Sequence, residues 1–118
     1  LVVIACSKKK VQVKDGIYKG NFTMTYSTGT HSGYTTLELK NGKFWCTGNP
    51  NRIPAGGSGT FSSTKKQLIF QDVNFWTADF DWGLILSGTY DYSFDGKNLK
   101  FSVGKKSNAH YSYNLQKQ

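Results

Sequence analysis

Along most of this chain apolar and polar residues alternate with a period of two, the spacing that sends successive side chains to opposite faces of a β-strand. The clearest run is Trp82–Val103, WGLILSGTYDYSFDGKNLKFSV. Leu84, Leu86, Gly88, Tyr90, Tyr92 and Phe94 share one parity, and Ile85, Ser87, Thr89, Asp91 and Ser93 share the other. Asp95-Gly96 supplies a tight turn. After it Leu99, Phe101 and Val103 alternate with Lys100 and Ser102. The pattern predicts an antiparallel hairpin with one dry face and one wet face.

The same rule divides the rest of the chain. GIYKGNFTMTY predicts a half-buried first strand over 17–26, with Tyr18, Gly20, Phe22, Met24 and Tyr26 inward. STGTHSG reads as a polar loop before a strand at 33–40, in which Thr35, Leu37 and Leu39 face inward. Asn41-Gly42 is a strong hairpin signal. It leads to a strand at 43–47 that points Phe44 and Cys46 one way and Trp45 the other. The turn formers of GNPNRIPAGGS over 48–58 mark an exposed connection. Strands follow at 58–63 and 67–71. QDVNFWTADFD over 71–81 breaks the alternation and reads as a longer loop or short helical turn over an open end. Strands at 82–94, 97–103 and 110–117 make eight.

Short turns favour pairing of sequential strands, and a meeting of first and last strands removes the sheet's edges. The expected fold is all-β, an antiparallel eight-stranded up-and-down barrel forming one domain over 16–118, with a two-sheet β-sandwich as the alternative. In architecture it resembles the small lipocalin-like and avidin-like barrels, although GIYKGNF carries no tryptophan after its glycine, as a lipocalin signature would.

Composition agrees with that picture. A chain of 118 residues is long enough for one modest core. Thirteen glycines, two prolines and fifteen tyrosines and phenylalanines suit antiparallel sheet. No stretch shows sustained helical periodicity, and no apolar run reaches the length of a membrane-spanning helix. The net charge is +8, but Lys8, Lys9, Lys10 and Lys14 account for half of it, and the remainder is an ordinary balance of eleven basic and seven acidic residues. The other lysines occur singly or in pairs such as Lys65-Lys66 and Lys105-Lys106, so nucleic acid is not an expected partner.

The first six residues, LVVIAC, are apolar and are followed abruptly by SKKKVQVKDG. Val3, Ile4 and Ala5 ahead of Cys6 resemble the lipobox of bacterial lipoprotein signals. That resemblance implies cleavage before Cys6, diacylglycerol on its thiol and acylation of its amino group. Residues 1–5 are then a signal remnant, and 6–15 a lipidated cysteine with a flexible basic tether. Several acyl chains anchor stably in a bilayer. Ser7, where a sorting aspartate would otherwise stand, implies the outer membrane of the cell envelope, facing periplasm or surface. The alternative is an ordinary β-strand with Cys6 buried.

With Cys6 lipidated, Cys46 is a free thiol, and its parity with Phe44 predicts a buried, inert one. A nucleophilic Cys46 would need His31 or His110 beside it. Asp72, Asp79 and Asp81 stand near Trp76, Phe80 and Trp82, a mixture of carboxylates and aromatic platforms suited to sugars. A small hydrolase using Asp79 and Asp81 is therefore one reading, but no catalytic motif accompanies them and an enzyme is not expected. Two histidines without a third ligand do not predict a metal site, and no phosphate- or dinucleotide-binding motif points to a cofactor. The inward tyrosines and phenylalanines either fill a narrow barrel or, in a wider one, line a pocket with hydroxyls.

The candidate binding surface is Trp45, Arg52, Trp76, Asp79 and Trp82. The first functional reading is a monomeric, non-enzymatic, lipid-anchored envelope protein, held to the bilayer through acylated Cys6. It would bind a small, partly apolar or carbohydrate ligand at the barrel mouth or rim. The second is a protein-binding or hydrolase-inhibitor module, by analogy with small β-barrel lipoproteins that inhibit lysozyme. An open cavity favours the first, and a filled barrel with a rigid exposed loop at 48–58 or 72–82 favours the second.

Overall fold

A computed structural model describes residues 12–76, 82–104 and 109–118. Among the described residues eight strands form one closed barrel in sequence order. They are β1 (Gly16–Tyr26), β2 (Gly29–Lys40), β3 (Lys43–Cys46), β4 (Gly57–Ser63), β5 (Gln67–Asp72), β6 (Gly88–Phe94), β7 (Asn98–Gly104) and β8 (His110–Lys117). Every pairing is antiparallel, and β1 closes the barrel against β8. The fold is the expected barrel and not the sandwich.

Facing residues of an antiparallel pair lie on the same side of the sheet, so register decides whether the alternating sets converge. They do. Leu39 faces Phe44, Phe61 faces Phe70, Leu68 faces Tyr90, and Phe101 lies between Tyr92 and Tyr113. The rings meet in the interior: Phe70 lies 5.0 Å from Phe44, 5.5 Å from Phe101 and 5.8 Å from Tyr90 between centroids. Tyr113 stacks on Phe101 at 4.4 Å and meets Phe22 at 4.8 Å. The barrel is therefore packed with side chains. Closure also needs room for β8 against β1. Gly20 faces inward opposite Leu115, and a Cβ at Gly20 would overlap the Asn114 carbonyl oxygen.

Two segments depart from the pattern. STGTHSG is a hairpin, not a loop: β2 starts at Gly29, and Thr30, His31 and Ser32 pair with Thr25, Met24 and Thr23. All three are exposed, so backbone pairing to β1, without an apolar face, makes this stretch a strand. Conversely, the predicted strand 82–94 is strand only from Gly88. Trp82–Leu84 forms a 3-10 turn, and Leu84, Ile85 and Leu86 are all buried in succession. A strand would have turned Ile85 outward.

The connections after β1, β3, β5 and β7 gather at one end, here the upper end. The other three turns, the entry to β1 and the exit from β8 gather at the lower end. Of the predicted tether, residues 12–15 lie within the described part and rest on the barrel. The Gln12 amide donates to Ser63 Oγ at 2.9 Å, Val13 packs half-buried against the core, and Asp15 Oδ2 accepts the Asn41 N–H at 3.1 Å. The lipobox and Cys6 lie outside the described residues.

Candidate functional site at the upper rim

The upper mouth is shut by two connections that join each other. In the β3–β4 loop, Asn49 Oδ1 accepts the N–H groups of Asn51 and Ile53, both at 3.0 Å, and its amide donates to the Ile53 carbonyl. Such side-chain bonds to nearby backbone explain why a stretch this rich in Asn, Pro and Gly holds one shape. Arg52 sits at the loop's tip with φ +59°. Ile53 and Ala55 turn down onto the core. Gly33 of β2 gives the loop its seat, because a Cβ there would overlap the Ile53 carbonyl oxygen and the Asn49 amide.

The β5–β6 connection completes the lid. Ala55 N–H donates to the Leu84 carbonyl and Leu86 N–H to the Gly56 carbonyl, both at 2.9 Å. A parallel bridge between Gly56 and Ile85 results, with Leu84 and Leu86 joining the barrel core beneath it and the buried Ile85 turned to a depression beside Trp76.

Beside the lid, one carboxylate organises the start of the same connection. Asp72 Oδ1 accepts the Ser58 N–H at 3.0 Å and the Asn74 side-chain amide at 2.7 Å. Its Oδ2 accepts the Asn74 N–H at 3.1 Å and the Trp76 indole N–H at 2.6 Å. Asn74 also donates to Ser58 Oγ at 3.0 Å, and the Asp72 N–H reaches Ser87 Oγ at 3.2 Å. The four donors occupy the acceptor positions of the carboxylate. The fixed turn displays Val73, 70% exposed, and Phe75, fully exposed at 104%. An apolar ring held wholly in solvent by an otherwise satisfied turn contributes nothing to folding there. It is available to a partner.

Removing this carboxylate should loosen the rim. Asp72→Ala is expected to lower stability by about 1–3 kcal/mol, since it leaves several donors without their acceptor. It should also open 73–76 to limited proteolysis and red-shift tryptophan emission. An unchanged melting curve and digestion pattern would refute the bracing role.

The residues singled out from sequence are partly brought together. Trp45 stands on the outer wall of β3, 47% exposed, between Glu38 and Ser58 in register. Ser58 is the residue gripped by Asp72 and Asn74, so Trp45 borders the rim cluster. Trp76 is half-buried and borders a depression of about 170 Å³ with Asp72, Asn74, Ile85 and Ser87. Arg52 belongs to the lid loop. Asp79 and Asp81 lie outside the described residues, as does the side chain of Trp82, whose backbone begins the 3-10 turn.

Cys46 is buried, with Thr35 Oγ1 at 3.3 Å from its sulfur, and burial pushes its thiol up to about 11. Both histidines are exposed. Such a thiol is protonated and unreactive at neutral pH. Nearby, the Tyr113 hydroxyl is buried without a hydrogen-bond partner among the described residues, and the buried Tyr90 hydroxyl lies toward the Ser87 backbone outside good hydrogen-bond geometry. Among the described residues no three His, Cys, Asp or Glu side chains gather as a metal site would require.

Sequence reasoning missed the display of Val73 and Phe75, although Asp72-x-Asn74 is a recognisable side-chain-to-backbone turn signal. It also missed a shallow groove of about 460 Å³ on the outer wall, bordered by Asp91, Lys100, Ser112 and Asn114. Ordinary wet-face residues carry no signal that separates a groove from plain surface. Comparison with protein-family models, with curated proteins and with solved structures finds no match.

Proposed function

We propose that this protein is a non-enzymatic, lipid-anchored envelope protein whose barrel is a solid scaffold presenting its upper rim to a protein partner. One observation carries the reading. The end that would admit a small ligand is shut by the lid, and the same end displays Val73 and Phe75 on a turn braced by Asp72. An exposed aromatic on a preorganised turn is the chemistry of an interface anchor, because little entropy remains to be lost on binding. Inhibition of an envelope or extracellular hydrolase fits this arrangement, with the rim entering the enzyme's cleft.

The anchor reading rests on the lipobox resemblance at Cys6. Five residues lie between Cys6 and Gln12, six Cα steps that span at most about 22 Å. An anchored barrel would thus sit close to the bilayer with its lower end inward and its rim outward. Intact-mass measurement of the protein from a bacterial host should show loss of residues 1–5 and acylation at Cys6. An unmodified Cys6 in exported protein refutes the anchor.

For the partner, a photo-crosslinking residue at Phe75 should trap a discrete protein adduct in the host envelope. The same probe at Ile69, on the outer wall, should not. The adduct formed by a probe at Trp45, on the rim's border, should weaken several-fold in Phe75→Ala. Equal labelling from positions 75 and 69 would overturn the rim assignment. A carbohydrate on the outer wall is the second reading, favoured by the amide, hydroxyl and ammonium groups around the groove at Lys100 and Asn114. It requires saturable binding of a peptidoglycan disaccharide that Asn114→Ala abolishes and Phe75→Ala leaves intact.

A further inference from the structure

The up-and-down topology sends every second turn to the same end, and at the lower end each turn carries lysine. Lys40 and Lys43 flank Asn41-Gly42 between β2 and β3. Lys65 and Lys66 form the tip between β4 and β5, and Lys97 follows Asp95-Gly96 between β6 and β7. Lys14 at the entry to β1 and Lys117 at the exit from β8 complete the ring. All but the half-buried Lys117 are exposed. The two acids in the turns are engaged with backbone: Asp15 accepts the Asn41 N–H, and Asp95 accepts the N–H groups of Lys97 at 3.0 Å and Asn98 at 2.7 Å, while Glu38 and Asp91 lie on the outer wall above. Those bonds hold the Asp95 carboxyl down at about 2. It stays charged, and its lone pairs are directed at the turn.

Three further lysines, Lys8, Lys9 and Lys10, precede Gln12 in sequence, and Gln12 is held at this end by its bond to Ser63. In sequence the upper connections are balanced, with Arg52, Lys105 and Lys106 against Asp79, Asp81 and the Asp72 that ends β5.

We infer that the lysine-ringed lower end of the barrel docks end-on against an anionic lipid surface. The ring is broad, exposed and predominantly positive, seven lysines against Asp15 and Asp95, and among the described residues none of its turns carries an aromatic ring on which a nucleic-acid base could stack. Its setting rests on the anchored reading above, since an anchor at Cys6 would bring this end to the headgroups. The attraction itself is a property of the barrel and is present without acylation. Docking would fix the rim outward, toward partners away from the membrane.

The test uses the full chain carrying Cys6→Ser, so that failure of the anchor and failure of docking are read separately. In co-sedimentation at low salt it should bind vesicles containing phosphatidylglycerol and not pure phosphatidylcholine, with binding falling as salt rises. Lys43→Gln, Lys65→Gln and Lys66→Gln together should weaken binding by about fivefold per lysine removed. Arg52→Gln, Lys105→Gln and Lys106→Gln, which remove equal charge from the connections of the opposite end, should change it by less than about twofold in total. Circular dichroism should report the same fold for both variants. Equal losses in the two triplets would overturn the proposal, as would an absence of binding to the anionic vesicles. So would full loss on changing Lys8, Lys9 and Lys10 while the turn triplet has no effect. Tighter binding to polyuridylate than to vesicles, lost in the same turn triplet, would assign the ring to nucleic acid instead.

Discussion

Alkaline solution is expected to unfold this barrel in a steep transition that begins as the pH passes about 9–10. Burial pushes the Cys46 thiol from 9.0 up to about 11. Burial likewise raises the Tyr90 and Tyr113 phenols above their ordinary 10.0. Each group is neutral while protonated, and the folded chain holds that proton more tightly than the unfolded chain. Above the unfolded values the unfolded state therefore binds fewer protons, and stability falls as pH rises until the folded values are passed. Below about pH 9 the three groups contribute their full stabilisation.

Each costs about 1.4 kcal/mol per pH unit within its window, so the three together approach about 4 kcal/mol per unit between about pH 10 and 11, and the two phenols about 3 kcal/mol per unit above that. That slope exhausts a typical domain's 5–15 kcal/mol within a few units. Circular dichroism followed against pH, reversibly, measures it. The double variant Tyr90→Phe, Tyr113→Phe should shift the alkaline midpoint upward and flatten the slope. Because the Tyr113 hydroxyl is buried without a hydrogen-bond partner among the described residues, Tyr113→Phe alone should also gain about 1–3 kcal/mol at neutral pH. An unmoved alkaline midpoint in the double variant would mean that the phenols ionise freely, and the packed interior would be wrong.

The second large effect separates two phenylalanines five residues apart. Phe70 is 2% exposed and touches the rings of Phe44, Phe61, Tyr90 and Phe101. Phe70→Ala is expected to cost about 3–5 kcal/mol in urea denaturation, because it empties the middle of a filled barrel. Phe75 is wholly exposed. Phe75→Ala should leave stability within about 0.5 kcal/mol while removing the rim's contact with its partner. A large loss of stability in Phe75→Ala would place that ring in the fold and remove the main support for the interface.

Their difference marks the limit of periodicity as a guide. Phe70 was legible because it sits in an alternating run between Ile69 and Gln71, and its parity partners Leu68 and Asp72 close that run. Phe75 follows the last regular pair, where alternation stops predicting direction. The Leu84, Ile85, Leu86 run misled in a related way: Leu84 and Leu86 join the core as their parity predicts, but the backbone there is a 3-10 turn and an isolated bridge, not a strand. STGTHSG misled in the opposite sense: its backbone finds a ladder on β1 although its side chains bury nothing. Among the candidate site residues, Trp45 was correctly placed on the outer wall. Asp72 was noticed as a carboxylate suited to sugar chemistry, and it serves instead as a brace for its own turn.

Alternation, turn residues and aromatic content by themselves determined the all-β barrel, its strand order and nearly all of its core. A period of two is a local property, and antiparallel neighbours inherit one another's faces. The tertiary structure decided what is non-local: that the mouth is shut by two distant connections, that Asp72 braces an exposed ring, and that scattered lysines form one ring. Lys43, Lys66, Lys97 and Lys14 are far apart in sequence and adjacent in charge only because the barrel folds every second turn back to the same end. Strand alternation shows which side of the sheet a residue occupies, and closure of the barrel sets which residues share an end.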